Sequence, residues 1–260
     1  MKRRAWLLGT ATLGLTSLGY AQVTSINDAI NKAGRQRMLS QRMAKSYIAL
    51  VLDVLPEAAA KTLATSMALF DRQLIELKAF APVPEIKNTY QLLETKWRDY
   101  KAALMGDKPS HSGIADVLNL SNAVLALAHQ GTQQLEKEST KPVGKLVNIA
   151  GRQRMLSQRM ASHYLAAYEN VQSVNAKAEM LKAHDEFVLA LEVLRSAPEA
   201  TARIGQELAL ADQQFVFFQA ALRNLHIGST DKRPLVEVFQ TSERILQVMD
   251  NITSLYSHIS

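Results

Sequence analysis

The sequence predicts an all-α protein built as two tandem up-and-down four-helix bundles related by internal duplication. Four observations predict it. Of 260 residues, 47% are hydrophobic and 21% charged, ordinary for a globular chain and too apolar for a disordered one. With 11 Gly, 7 Pro and 6% aromatic residues, the chain has too few turn and strand formers for a sandwich, a barrel or a doubly wound sheet. Apolar residues recur three or four apart, as in Leu93, Trp97 and Tyr100 or Ile245, Leu246, Met249 and Ile252, which is the helical period. Residues 33–44 and 150–161 both read AGRQRMLSQRMA, an unbroken identity at an offset of 117 that marks a duplication.

Each half divides into four helical segments. In the first half, Ser25 followed by Asp28 predicts an N-cap, and Pro56 closes the opening helix. A second helix is predicted over 57–80, a third over 85–105 ending at Gly106, a loop over 107–113, and a fourth helix over 114–138. The second half repeats the plan near 143–171, 175–196, 198–225 and from 234 to the C-terminus. Short connections between helices of this length imply antiparallel neighbours. The bundles are placed at 22–140 and 141–260, after a leader over 1–21, and Ser139–Gly144 is the only break between them. The last helix of the first bundle is therefore expected to run nearly straight into the second.

Lys2, Arg3 and Arg4 precede an apolar stretch from Ala5 to Leu18, and Gly19, Tyr20 and Ala21 follow as a small-x-small cleavage pattern. This reads as a secretory signal, shorter than a membrane span, using either the Sec or the twin-arginine route. The mature chain is expected to be periplasmic and not embedded in the membrane. Removing residues 1–21 lowers the formal charge from +6 to +3, and the remaining basic residues are interleaved with acids, so nucleic acid is not an expected partner. The absence of Cys excludes disulfides, Cys-ligated zinc, iron–sulfur clusters and thiol catalysis.

On a helical wheel of roughly 100° per residue, Ala33, Arg37, Ser40, Ala44, Tyr47, Ile48, Val51 and Leu55 share one stripe with Arg37 at its middle. Arg35 and Arg42 fall opposite with Asp53, where solvent is expected. The second copy puts Ala150, Arg154, Ser157, Ala161 and Tyr164 on the stripe and Arg152 and Arg159 opposite. A guanidinium does not give up its proton, and burying it unpaired costs at least several kcal/mol. No acid lies on the stripe near Arg37 or Arg154, so the counter-ion is a carboxylate from another helix, such as Asp71, Glu94, Asp185 or Glu207, or a ligand. Gly34 and Gly151, flanked by the small Ala33 and Ala150, imply close approach of a second helix. If the two opening helices pack about a pseudo-two-fold axis, Arg37 and Arg154 converge on one small planar anion.

The block, with Ile30-Asn31 before it, resembles the P-box of the nitrate and nitrite sensor family, the periplasmic input domain of NarX-type histidine kinases and PilJ-type chemoreceptors. That pattern is near I-N-x-A-G-x-x-R-M-x-S-x-R. The resemblance implies a four-helix bundle whose opening helix carries the motif, with nitrate bound at a dimer interface by the arginine after A-G-x-x, here Arg37 and Arg154. The family works as a membrane-bound homodimer, whereas this chain carries both copies.

Other chemistry is less well supported. The histidines, among them His129, His163, His184, His226 and His258, share no ligand spacing, so no metal and no cofactor is expected. The repeated pairs Met38–Met43 and Met155–Met160 read as packing, Trp97 as core, and Tyr47 and Tyr164 as core or pocket-lining. No nucleophile elbow or triad is evident, so the chain is not expected to be an enzyme. The expected function is binding or sensing of a small oxyanion, nitrate or nitrite, by Arg37 and Arg154. Ser40, Ser157, Ala33, Ala150 and backbone groups beside Gly34 and Gly151 would aid it, and a sensor kinase, chemoreceptor or transporter would be the partner. The competing expectation is a helical protein–protein interaction module of a chemosensory or pilus system, with no small ligand.

Overall fold

The computed structural model describes residues 22–106, 108–140 and 142–259, so the expected leader lies outside the described residues. Among the described residues there are eight α-helices and no strand: α1 Ile26–Val51, α2 Pro56–Phe80, α3 Pro84–Met105, α4 Ile114–Lys137, α5 Val143–Tyr168, α6 Ser173–Ser196, α7 Ala202–Arg223 and α8 Arg233–Ser257. None of them is long and apolar enough to cross a membrane.

Local chemistry sets most boundaries. The Ser25 hydroxyl accepts the Asp28 N–H at 3.1 Å, satisfying one of the orphan donors at the start of α1. Pro56, Pro84 and Pro234 sit in the first turns of their helices, where the missing N–H costs nothing. Pro56 therefore opens α2 rather than closing α1. The stop comes earlier, at Asp53 and Leu55, both with positive φ, and a Val54 N–H to Ala49 carbonyl bond of 2.8 Å closes the helix end. The second repeat copies this turn with different residues: Asn170 and Gln172 take positive φ, and Val171 N–H bonds the Ala166 carbonyl at 3.0 Å. Left-handed conformation costs a non-glycine residue about 1–2 kcal/mol, so a turn kept in both copies is fixed by the surrounding packing. The start of α7 also shifts from the expected 198 to Ala202, where the Thr201 hydroxyl accepts the Ile204 N–H.

The two repeats are four-helix units joined side by side, along α1 and α5. Contacts between these helices run in the same sense: Ile30 lies by Gly144, Gly34 by Gly151, and Arg159 Nη1 donates to Gln41 Oε1. They are therefore parallel. The α4 helix runs antiparallel to α1, with Gln41 at Ser121 and Arg37 at His129, and α8 does likewise, with Arg35 at Asp250 and Arg42 at Glu243. The centre is thus made of α1, α4, α5 and α8, with α2 and α6 against α1 and α5, and α3 and α7 against α4 and α8. The chain does not run straight from α4 into α5. It doubles back, because Glu136 accepts a hydrogen bond from Asn148, a pair that a continuous helix would hold about 18 Å apart.

Candidate functional site

The repeated block joins the helices by hydrogen bonds made twice. Gln36 Nε2 donates to the Phe70 carbonyl at 3.2 Å and Gln153 Nε2 to the Phe187 carbonyl at 3.0 Å, tying each opening helix to the next. Gln41 Nε2 bonds Ser121, and Gln158 Nε2 bonds the Ser242 carbonyl, tying it to the last helix of its repeat. All four glutamines are fully buried. Glutamine is an ordinary surface residue on a helix, so only its recurrence at the same block positions signals a buried role.

Both Arg37 and Arg154 have no exposed surface, and they meet where α1 and α5 are closest. A Cβ added to Gly34 would lie 3.2 Å from Arg37 Nη2, 3.4 Å from Arg154 Nη2 and 3.8 Å from the Gly151 Cα. The geometry at Gly151 mirrors it, at 3.2 Å from Arg154 Nη2 and 3.6 Å from Arg37 Nη2. The glycines are needed because the ends of the two guanidinium groups fill the space a side chain would take. Each Nη2 crosses to the other repeat: Arg37 donates to the Asn148 carbonyl at 3.2 Å and Arg154 to the Asn31 carbonyl at 3.0 Å.

The symmetry ends at Nη1. Arg154 Nη1 meets the Asp250 carboxylate, which Arg35 Nη2 shares at 2.9 Å. Arg37 Nη1 instead meets His129 Nδ1 at 3.2 Å. Guanidinium only donates, so Nδ1 must accept and the ring proton sits on Nε2. His129 and Asp250 are equivalent positions, because α4 and α8 align through Ser121 with Ser242 and through Thr132 with Thr253. Each of these hydroxyls donates to a carbonyl one turn back. One buried arginine therefore has a carboxylate, and its twin has an imidazole.

Ionisation follows from this. Burial, then the charges of Arg152 and Arg154, drive Arg37 down to about 9, opposed by Glu136 and Glu186. Burial lowers Arg154 to about 10 against the pull of Asp250. Burial opposes ionisation of Asp250, but Arg154 and Arg35 outweigh it and hold the carboxyl at about 2. Burial and the Arg37 charge push His129 down to about 4, so at neutral pH it brings no charge. The Nε atoms of both buried arginines are without a hydrogen-bond partner among the described residues.

The remaining site expectations fall out unevenly. Ala33 and Ala150 are buried beside the glycines. Ser40 and Ser157 spend their protons on the Arg37 and Arg154 carbonyls, both at 2.8 Å, so they brace the helix rather than reach the guanidinium groups. Arg35, Arg42, Arg152 and Arg159 are not free on a wet face: they are half-buried and pair with Asp250, Glu243, Glu186 and Glu179. None of the four proposed acids meets a block arginine. Asp71 binds Lys101 and Trp97, Glu94 binds Lys78, and Asp185 binds His184, while no ion pair involves Glu207 among the described residues. Asp250 was the missed partner, and the signal for it was the α4–α8 alignment just given. Trp97 is core, its ring packed at a tilt against Phe70 with centroids 4.2 Å apart. The Tyr47 hydroxyl accepts from the Ser110 N–H and Tyr164 donates to the Asn224 carbonyl, which makes both tyrosines loop anchors. Among the described residues no group of three or more His, Asp or Glu is placed to hold a metal ion.

His163 is 5% exposed, neither ring nitrogen has a hydrogen-bond partner among the described residues, and burial lowers it to about 4. The unfolded chain therefore binds more protons below pH ~6.5. Stability is expected to fall as the pH drops from 6.5 toward 4, by up to ~3 kcal/mol from this residue. Urea midpoints at pH 7 and 4.5 check this: His163→Gln should flatten the dependence, and an unchanged slope would rule the assignment out.

The comparisons with known proteins agree with this architecture. No curated protein and no solved structure matches the chain. The family model for the type IV pili methyl-accepting chemotaxis transducer N-terminal domain matches residues 20–130 and again 138–225, one match in each repeat. Two matches that together cover most of the chain, over two helical repeats whose opening helices carry the same block, place this protein in the PilJ family.

Proposed function

We propose that the chain is a periplasmic signalling module in which a small monovalent oxyanion, nitrate or nitrite, neutralises the Arg37 side of the α1/α5 seam and a partner protein reads the result. Membership of a chemotaxis transducer family supports a sensory role without turnover, and the basic, apolar N-terminus supports export. The observation that carries the anion reading is the asymmetry at Nη1: two fully buried guanidinium groups share one resident carboxylate, and Arg37 faces a neutral histidine. Weakly hydrated, planar nitrate loses less on entering such a site than sulfate or phosphate. A ligand-free interaction module has its own support. The Asn31 and Asn148 carbonyls already take both Nη2 groups, and α6 and α7 expose Leu189, Val216 and Phe217, each about 60% or more.

Calorimetry with nitrate, nitrite, chloride and sulfate separates the two. The anion reading expects heat from nitrate or nitrite and most affinity lost in Arg37→Ala and in Arg154→Ala. Arg35→Ala, which strips Asp250 of one partner, should cost stability more than affinity. No heat and no thermal stabilisation from any of the four would leave the interaction module.

A further inference from the structure

Each copy of the block floors a groove, and the two grooves share a framework but differ in chemistry. The first, about 400 Å³, lies between α1, α2 and α8, where Arg35 and Arg42 face Asp250 and Glu243. The second, about 420 Å³, lies between α4, α5 and α6, where Arg152 and Arg159 take the places of Arg35 and Arg42. The alignment that pairs Ser121 with Ser242 puts Asn122 where α8 has Glu243 and His129 where it has Asp250. Both carboxylates of the first groove are therefore absent from α4.

The α6 helix supplies acids in part. Glu179 takes Arg159 Nη2 at 2.8 Å, and Glu186 takes Arg152 at Nε. Asn122 accepts from Arg159 Nη1 at 2.7 Å. After these bonds, four donors on the groove wall have no acceptor among the described residues: both terminal nitrogens of Arg152, the Nε2–H of His129 and the ammonium of Lys182. The same helices, α4 and α5, also line the groove with the apolar side chains of Leu125, Met155 and Leu156. Free donors beside apolar side chains, in a volume within the usual range of small-molecule sites, call for an anion with a hydrocarbon body. Glu179 and Glu186 disfavour a multiply charged one by repulsion.

We propose that this groove binds a small organic monocarboxylate. Its carboxylate seats on Arg152 and His129, meeting Arg152 as Asp250 meets the equivalent Arg35, and its apolar part lies on Leu125, Met155 and Leu156. The seat uses the Nε2 side of His129, whose Nδ1 meets Arg37, so it adjoins the Arg37–Arg154 seam, and Asn122→Glu, which leaves Arg37, Arg154 and His129 in place, tests it separately from nitrate binding.

The test uses the full chain with sodium acetate, propionate and benzoate, with succinate as the divalent comparison, against chloride at constant ionic strength. Melting temperature and calorimetric affinity are read on wild type, Arg152→Gln, Lys182→Glu and Asn122→Glu. At least one monocarboxylate should raise the melting temperature above the chloride value and bind more tightly than succinate, with affinity about tenfold or more weaker in Arg152→Gln and Asn122→Glu. Asn122→Glu copies the residue the other repeat holds at 243, so it should fold even if Arg152→Gln does not. Any nitrate response should persist in Lys182→Glu and Asn122→Glu, which leave Arg37, Arg154, His129 and Arg152 in place. The proposal is overturned if no carboxylate exceeds chloride, or if Asn122→Glu binds as wild type does.

Discussion

Replacing Asp250 by Ala is expected to destabilise the protein by about 3 kcal/mol, toward the low end of the range for breaking a buried ion pair. The carboxylate serves two cations at once, Arg154 at Nη1 and Arg35 at Nη2. Arg154 has no exposed surface and cannot recover the lost charge from water. Removal leaves it only the Asn31 carbonyl, 3.0 Å away, and brings its repulsion with Arg37 to full strength. The side chain of Asp250 is itself 41% exposed, which keeps the loss from the upper end of the range. Adding Arg154→Met should recover more than half of it, since removing both charges leaves no buried ion to solvate. Urea unfolding of the single and double variants checks both statements. A double variant as unstable as Asp250→Ala alone would mean that the loss comes from Arg35 or from packing.

Some of this protein is legible in its residues, and some only in how they pack. Helix class and most boundaries follow from caps, prolines and periodicity, each a local effect. The convergence of Arg37 and Arg154 also follows locally, from two small-residue patches on duplicated helices. The wheel fails for Arg35, Arg42, Arg152 and Arg159 because it treats the opening helix as peripheral, with one core-facing stripe and one wet face. In the fold, α1 and α5 are central and are enclosed by neighbours on several sides. Their polar residues are therefore buried with partners, as Lys45 is with Glu243 and Ser242, and the helix reads as more exposed than it is. Asp250 and His129 stayed illegible because their roles appear only when α4 is aligned with α8, and that pair has drifted from the offset of 117 that fixes α1 on α5.

The drift is also where the chemistry lies. A duplicated chain begins symmetric, with the same group facing each buried arginine. Here one repeat has aspartate and the other histidine at that position, so the halves have stopped being interchangeable. A homodimer of single domains holds identical residues on both sides of its axis, whereas this chain has fixed one side with its own carboxylate and left the other without one.

His129→Asp tests that asymmetry most directly. The position lines an open groove and is half-buried, much as Asp250 is, so the new carboxylate can be hydrated when free and can pair with Arg37. Melting temperatures of wild type and His129→Asp are compared with and without nitrate. The variant should be the more stable of the two in anion-free buffer, by about 1–3 kcal/mol for a gained charge-assisted hydrogen bond, and nitrate should stabilise wild type but no longer the variant. A variant that is less stable than wild type, with nitrate acting equally on both or on neither, would contradict the claim that Arg37 is the cation left for a guest to neutralise.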